Sequence, residues 1–480
     1  MRRSGPNPKA NKNILRLAYA VAGVFACLVL YLGYFLQFES DSVINNAYNP
    51  RVDLLAQRVV RGEILSADGQ VLARTVTAED GTERREYPGG SLYAHAVGYT
   101  GNGRTGIESL TNFYLLTSHV NLVEQVFNQF SGVKNLGDNV VTTLDSRLQQ
   151  AAWDLLGDRR GAVAVMEPDT GKILAMVSKP DYDPNTIGED WDRLTADEGG
   201  EARLLNRATQ GLYAPGSTFK ILTLMEYLRE HPDDWEDFRF DCDGTYETGE
   251  YTIRCYHGEA HGSKDLAHAF ANSCNGAFAQ IGETLDKDGL RQLAEQLLYN
   301  RKLPLSLPYS QSSFVMDSGA DQWETLQTAI GQGRTQTTPM HTLLITSAIA
   351  NGGTLMRPYL IDHLENAGGQ EVKKFMPDSW GELMTAEEAG ELTEFMKLVV
   401  TEGTGSALVT DQYTAAGKTG SAEFETGRET HAWFTGFAPA EDPQIAVTVL
   451  VEEGGSGGRA AAPIARGIFD VYFSGQETGS

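Results

Sequence analysis

Three short segments carry side chains suited to acyl transfer. The first is Ala214-Pro215-Gly216-Ser217-Thr218-Phe219-Lys220. A serine hydroxyl is a weak nucleophile until a nearby base takes its proton. Pro215-Gly216 predicts a turn, and Ile221 to Met225 predict a helix after it. Residues three apart share a helix face, so the Lys220 amine can reach the Ser217 hydroxyl. The helix start also offers free backbone N–H groups and a partial positive charge, which favour an oxyanion beside Ser217. The second segment, Ser273-Cys274-Asn275, separates helical stretches at 265–271 and 276–285 and is predicted to present Ser273 and Asn275 from a loop. By itself it reads as a helix cap. The third is Ala416-Gly417-Lys418-Thr419-Gly420-Ser421-Ala422-Glu423. Glycines around Lys418-Thr419 suggest a strand that must be approached closely, and an edge strand of this kind can pair with an extended peptide. Lys418 brings positive charge, and Thr419 and Ser421 bring hydroxyls for a carboxylate. Alone, this segment reads as a turn after a strand.

Taken in order, the three resemble the Ser-x-x-Lys, Ser-x-Asn and Lys-Thr-Gly motifs of the penicillin-recognising serine acyltransferases. The resemblance covers most of residues 138–480. It extends to Ile330-Gly331-Gln332-Gly333 with Thr338-Pro339, and to Asn351-Gly352-Gly353. Arg61-Gly62-Glu63-Ile64 through Ala73 resembles the stalk of class B penicillin-binding proteins. The departures are Cys274 in the middle of the second motif and Ser421 where many members have threonine.

The resemblance implies a peptidoglycan DD-transpeptidase acting on D-Ala-D-Ala stem peptides and acylated by β-lactams. It implies Ser217 as nucleophile, Lys220 as base, Ser273 as proton relay and Asn275 as substrate holder. Lys418 shapes the field, Thr419, Gly420 and Ser421 bind substrate, and the N–H groups of Ser217 and Ser421 form the oxyanion hole. No cofactor and no metal is expected. A SEDS-type polytopic glycan polymerase is the implied partner of the anchor and stalk. Three rival functions remain: a class D-like β-lactamase, a DD-carboxypeptidase and a β-lactam sensor. Class D enzymes resemble Ser-x-Val at the second motif, and sensors usually carry several membrane spans.

These segments need a large scaffold. The chain has 480 residues and is 41% hydrophobic, which is ample for a core. Its formal net charge of −25 argues against nucleic acid as a partner. Arg2, Arg3, Lys9, Lys12 and Arg16 precede an apolar run from Leu17 to Phe38. Such a run can cross a bilayer, and the preceding cations place the N-terminus in the cytoplasm. A cleaved signal peptide is the rival reading, but the run is long for one and no small-x-small site follows. The expected organisation is a cytoplasmic tail at 1–16, a transmembrane anchor at 17–38, an extracellular stalk at 39–137 and a transpeptidase domain at 138–480.

The expected fold is α/β: a central antiparallel sheet flanked by helices, of the penicillin-binding-protein and β-lactamase type, with a small α+β stalk. Gly62 to Ala73 predicts two short strands around Asp68-Gly69. Strands are predicted at 139–144, 161–166, 172–178, 432–437 and 444–452. Helices are predicted from Gly106, after an Asp145 cap, and from Ala461 to Phe473. Cys242 and Cys255 flank a predicted hairpin and form either a disulfide or two free thiols. With His257 and His261 they resemble a Cys2His2 set, but at unusual spacing. Glu108 reads as a helix-capping carboxylate and His431 as structural.

Overall fold

The computed structural model describes residues 8–35, 55–425 and 427–477. Residues 36–38 of the expected anchor and 39–54 of the expected stalk lie outside the described residues. One helix, Pro8–Tyr34, has the length and composition to cross a membrane. An 18-residue window within its Lys12–Tyr34 portion has mean hydropathy 2.1, and none of that window is buried against the protein. At about 1.5 Å per residue, 23 residues exceed a hydrocarbon core of about 30 Å.

A five-stranded antiparallel sheet organises the C-terminal two thirds of the chain. Its spatial order is Ala416–Ala422, His431–Ala438, Ile445–Val451, Gly161–Met166, Ile173–Lys179. The inner strands read as unbroken apolar runs, Ile-Ala-Val-Thr-Val-Leu-Val being one, and every residue in them is buried. Continuous burial means that both faces are covered. On one face, helices Ser146–Leu156 and Ala462–Glu477 place Leu148, Ala152, Ile468 and Phe469 against Val163, Val165, Val447 and Val449. On the other, helix Pro339–Ala350 is mainly apolar with no polar face, and it is buried from Pro339 to Ile349. A helix without a polar face belongs in a core. Its Thr346 hydroxyl lies 2.6 Å from that of Thr435, which lies 2.6 Å from that of Thr448, so these three buried hydroxyls are paired. Ala416–Ala422 is left at the sheet edge.

The predicted strands and helices occur at these places with shifts of a few residues. Asp145 caps its helix through Arg147 and Leu148, and Asp265 caps Leu266–Ala271 through His268. The hairpin between Cys242 and Cys255 forms from Thr245–Thr248 and Tyr251–Arg254. A six-stranded mixed sheet runs Glu371–Lys374, Ile361–Glu365, Asn139–Thr142, Ile64–Leu65, Val71–Thr77, Glu83–Glu86. It draws strands from both sides of position 138. Gly69, at φ +83°, makes the Asp-Gly turn.

Glu108 is not simply a capping carboxylate. Its side chain is fully buried and lies 2.5 Å from Arg61 and 2.7 Å from Arg85. Burial alone would raise its carboxyl pKa, but the two guanidinium groups outweigh that and hold it below the usual range. Arg61 also bonds Asn112, and Arg85 bonds the Gly62 carbonyl, so one carboxylate ties the 61–85 ribbon to the 106–115 helices. Removing one partner of a buried ion pair strands the other charge. Glu108→Gln should therefore lower unfolding free energy by about 3–5 kcal/mol, read by denaturant titration at neutral pH. The depressed carboxyl contributes stability above its unfolded pKa and loses it as pH falls through the folded value. The gap between mutant and wild type should therefore shrink in acid.

Candidate active site

The first motif sits on a tight turn. Gly216 takes φ +54°, and its N–H donates to the Gly331 carbonyl at 2.8 Å. One 3-10 turn, Gly216–Phe219, runs directly into helix Lys220–Glu230. In a 3-10 turn residues three apart eclipse, so Ser217 and Lys220 share a face. Ser217 is half-buried, and its hydroxyl has no hydrogen-bond partner among the described residues. Lys220 is completely buried.

The second motif lies between helices Leu266–Ala271 and Asn275–Thr284. Ser273 has φ +57°, a left-handed conformation that costs a non-glycine residue about 1–3 kcal/mol and tends to occur at functional sites. This turn aims the Ser273 carbonyl, the Ser273 hydroxyl and the Asn275 amide oxygen at Lys220 Nζ, at 2.7, 3.4 and 2.7 Å. The Asn275 Nδ2 donates to the Arg254 carbonyl at 2.9 Å, which fixes the amide's orientation.

The third motif is the edge strand Ala416–Ala422. Lys418 Nζ donates to the Ser273 hydroxyl at 2.9 Å and to the Thr419 carbonyl at 3.1 Å. Thr419 pairs its hydroxyl with that of Thr404 at 2.5 Å. The Ser421 hydroxyl accepts from the Gly457 N–H at 3.3 Å. A Cβ on Gly420 would lie 3.1 Å from Trp433 and 3.2 Å from Thr218, a tight fit that glycine relieves where the strand passes the Ser217 turn.

The structure thus gathers Lys220, Ser273, Asn275 and Lys418 around one hydroxyl. Ser217 lies on the Lys220 face, and Thr419, Gly420 and Ser421 lie along the adjoining sheet edge. Burial pushes the Lys220 amine down to about 8, against a smaller upward pull from the Cys274 and Cys255 thiols. Burial also lowers Lys418 well below an ordinary lysine, and the Lys220 charge lowers it further. A buried amine near 8 is a usable base at physiological pH.

Three neighbours escaped the sequence reading as site residues. Thr404 bonds Thr419, Gln332 bonds the Ser421 carbonyl, and Gly331 receives the turn before Ser217. Gly331 and Gln332 lay inside a motif already noted; Thr404 carried no signal. His431 stacks on Phe424 and accepts from the Glu453 N–H. A cavity of about 570 Å³ bounded by Leu110, Tyr114, Tyr359, Phe375 and Met376 contains none of the motif residues and no lysine–serine pair.

Residues 161–470 match the penicillin binding protein transpeptidase domain, and 61–140 match the penicillin binding protein A dimerisation domain. The chain belongs to the penicillin-binding protein transpeptidase family. Among its relatives, peptidoglycan D,D-transpeptidase PbpA of Mycolicibacterium smegmatis is 33% identical across 95% of this chain and 98% of its own length. A solved D,D-transpeptidase domain from Eggerthella lenta is 35% identical, covering 87% of this chain and 99% of that one, with TM-score 0.78. Penicillin-binding protein A of M. tuberculosis, solved as a ceftriaxone acyl-enzyme complex, is 31% identical over 88% of this chain and 99% of that one, with TM-score 0.78.

Gly331 offers a direct structural test. It has φ +78°, and a Cβ there would lie 1.8 Å from the Gly216 carbonyl oxygen. Gly331→Ala should cost more than about 2 kcal/mol of stability and displace the Ser217 turn. Thermal unfolding together with the rate of fluorescent-penicillin labelling will measure both effects.

Proposed function

We propose that this chain is a membrane-anchored peptidoglycan D,D-transpeptidase that acylates on Ser217 and is covalently inhibited by β-lactams. The observation that carries this reading is that two buried lysines from different motifs both donate to the Ser273 hydroxyl. The full-length similarity to D,D-transpeptidases favours cross-linking over the lactamase, carboxypeptidase and sensor alternatives.

The chemistry proceeds in two half-reactions. Neutral Lys220 takes the Ser217 proton as Oγ bonds to the penultimate D-alanine carbonyl carbon of the donor stem. The N–H groups of Ser217 and Ser421 hold the resulting oxyanion. When the C–N bond breaks, the proton passes through Ser273 to the departing nitrogen, and D-alanine leaves. An acceptor amine then attacks the ester, Ser217 recovers its proton, and the new amide is the cross-link. Asn275 holds the substrate amide and orients Lys220. Thr419, Gly420 and Ser421 line the edge that receives the donor peptide, with the two hydroxyls on its terminal carboxylate. Lys418 completes the pair of amines on the Ser273 hydroxyl that relays the proton.

Residues 17–38 anchor the chain with residues 1–16 in the cytoplasm. Residues 39–137 form the stalk, and residues 138–480 work on the outer side of the membrane. Anchor and stalk together are the surface for a SEDS-type polytopic glycan polymerase. Loss of that polymerase's co-purification on replacing 17–137 with an unrelated anchor is the expected result; unchanged co-purification would contradict it.

Fluorescent penicillin should label the wild type once per chain and leave Ser217→Ala unlabelled although folded. Lys220→Arg keeps the charge but cannot deprotonate, so acylation should fall by about 10²–10⁴-fold. In the wild type, acylation should increase with pH as Lys220 loses its proton, with a midpoint near 8. A rate that is flat across that range would count against Lys220 as the base.

A further inference from the structure

The second motif is joined to a cluster that the acyl-transfer chemistry does not use. Four donor atoms, the sulfurs of Cys242, Cys255 and Cys274 and a ring nitrogen of His261, lie within 4.8 Å of one another. Cys242 Sγ is 3.6 Å from Cys255 Sγ and 3.3 Å from His261 Nδ1, and Cys255 Sγ is 3.8 Å from Cys274 Sγ. All three cysteines are free thiols and buried. Tetrahedral zinc holds thiolates at about 2.3 Å, so two sulfurs on one ion stand about 3.8 Å apart, with a sulfur and a nitrogen somewhat closer. These three separations match the edges of such a tetrahedron. A disulfide would require the sulfurs at about 2.05 Å and would leave Cys274 and His261 outside it. Cys274, not His257, completes the set that the sequence suggested.

The local fold explains why a cross-link belongs here. Two two-stranded ribbons, Arg239–Cys242 with Gly262–Asp265 and Thr245–Thr248 with Tyr251–Arg254, carry three of the ligands. Register places Cys242 opposite Gly262, next to His261, and the Cys255 N–H donates to the Gly244 carbonyl. Ribbons of two strands are marginal by themselves, and few residues of these are fully buried. The fourth ligand, Cys274, caps helix Asn275–Thr284, and its sulfur accepts from the Ala277 N–H at 3.5 Å. The backbone N–H groups of Asn275 and Gly276 also face the Cys255 sulfur. N–H groups at a helix start stabilise thiolates.

We propose that Cys242, Cys255, His261 and Cys274 form a closed tetrahedral site for a zinc-class divalent cation, and that the bound ion holds Ser273 and Asn275 in position for acylation. Thiolate and imidazole ligands select zinc over magnesium or calcium. Four protein ligands leave no open position, so the ion serves structure rather than substrate. The thiols give up their protons as the cation binds. Cys274 is peptide-bonded to both Ser273 and Asn275. The Asn275 amide also bonds the Arg254 carbonyl, one residue before Cys255. The ion therefore grips both supports of the side chain that receives the Lys220 ammonium. The positioning half of this proposal rests on the transpeptidase reading; the metal half does not.

The test uses the full-length protein purified in detergent without chelator. Elemental analysis should find about one zinc per chain. Cobalt(II) added to stripped protein should give thiolate-to-cobalt absorption. Cys274→Ser and His261→Ala should lose the metal, while His257→Gln, outside the cluster, should retain it. Should Cys274→Ser fail to fold, the cobalt spectrum of the wild type decides the site alone. Stripping zinc should lower the unfolding temperature and slow penicillin acylation about tenfold or more, and zinc alone should restore both. A Cys242–Cys255 disulfide in a zinc-free, cobalt-silent protein would overturn the site. Unchanged acylation after stripping would overturn the positioning role. Zinc content read on Ser217→Ala separates this proposal from the catalytic one, because that variant should be loaded with metal and still not label.

Discussion

The interaction on which the site depends is the pair of ammonium groups that converge on the Ser273 hydroxyl. Lys220 and Lys418 are both completely buried, and each would pay heavily for desolvation if left alone. Among the described residues neither has a carboxylate partner. Carbonyl, amide and hydroxyl oxygens solvate them instead, and those oxygens come from the Ser273 turn, Asn275 and Thr419. Dipoles can support a cation without neutralising it, and this leaves both amines easy to deprotonate. A carboxylate in the same place would raise Lys220 and disable it as a base.

That arrangement constrains the rest of the molecule. Lys418 must come from an edge strand, because an inner strand would be covered on both sides and closed to a peptide. Lys220 must come from the start of a helix that abuts the edge, hence glycine at 331, where the Gly216 carbonyl passes too closely for a side chain, and at 216, which takes φ +54°. Ser273 must take a left-handed conformation to turn its carbonyl and hydroxyl to the same point. The buried helix Pro339–Ala350 and the paired threonines beneath it make the sheet a rigid platform for these elements.

Much of this was legible from the sequence. The Asp145 cap, the buried strands and the hairpin between Cys242 and Cys255 follow from local pattern, which is short-range physics, whereas the three motifs carry meaning only through their resemblance to a family. Other features depend on residues far apart in the chain. Glu108 looked like a capping carboxylate because its partners Arg61 and Arg85 are brought to it only by tertiary folding. The 139–142 strand pairs with Ile64–Leu65 on one side and Ile361–Glu365 on the other, partners that lie far from it in the chain. Cys274 was read as an odd residue in a motif. Its proximity to Cys242, Cys255 and His261 is set by ribbon register, and single-sequence spacing carries no record of that.

The shared hydroxyl can be tested by removing it. Ser273→Ala deletes the one atom on which both lysines converge while leaving the carbonyl to Lys220 in place. The measurement is the second-order rate of acylation by benzylpenicillin, alongside thermal unfolding to establish that the variant is folded. This account predicts a folded protein whose acylation is slower by about a hundredfold or more. A folded variant that acylates at the wild-type rate would contradict it.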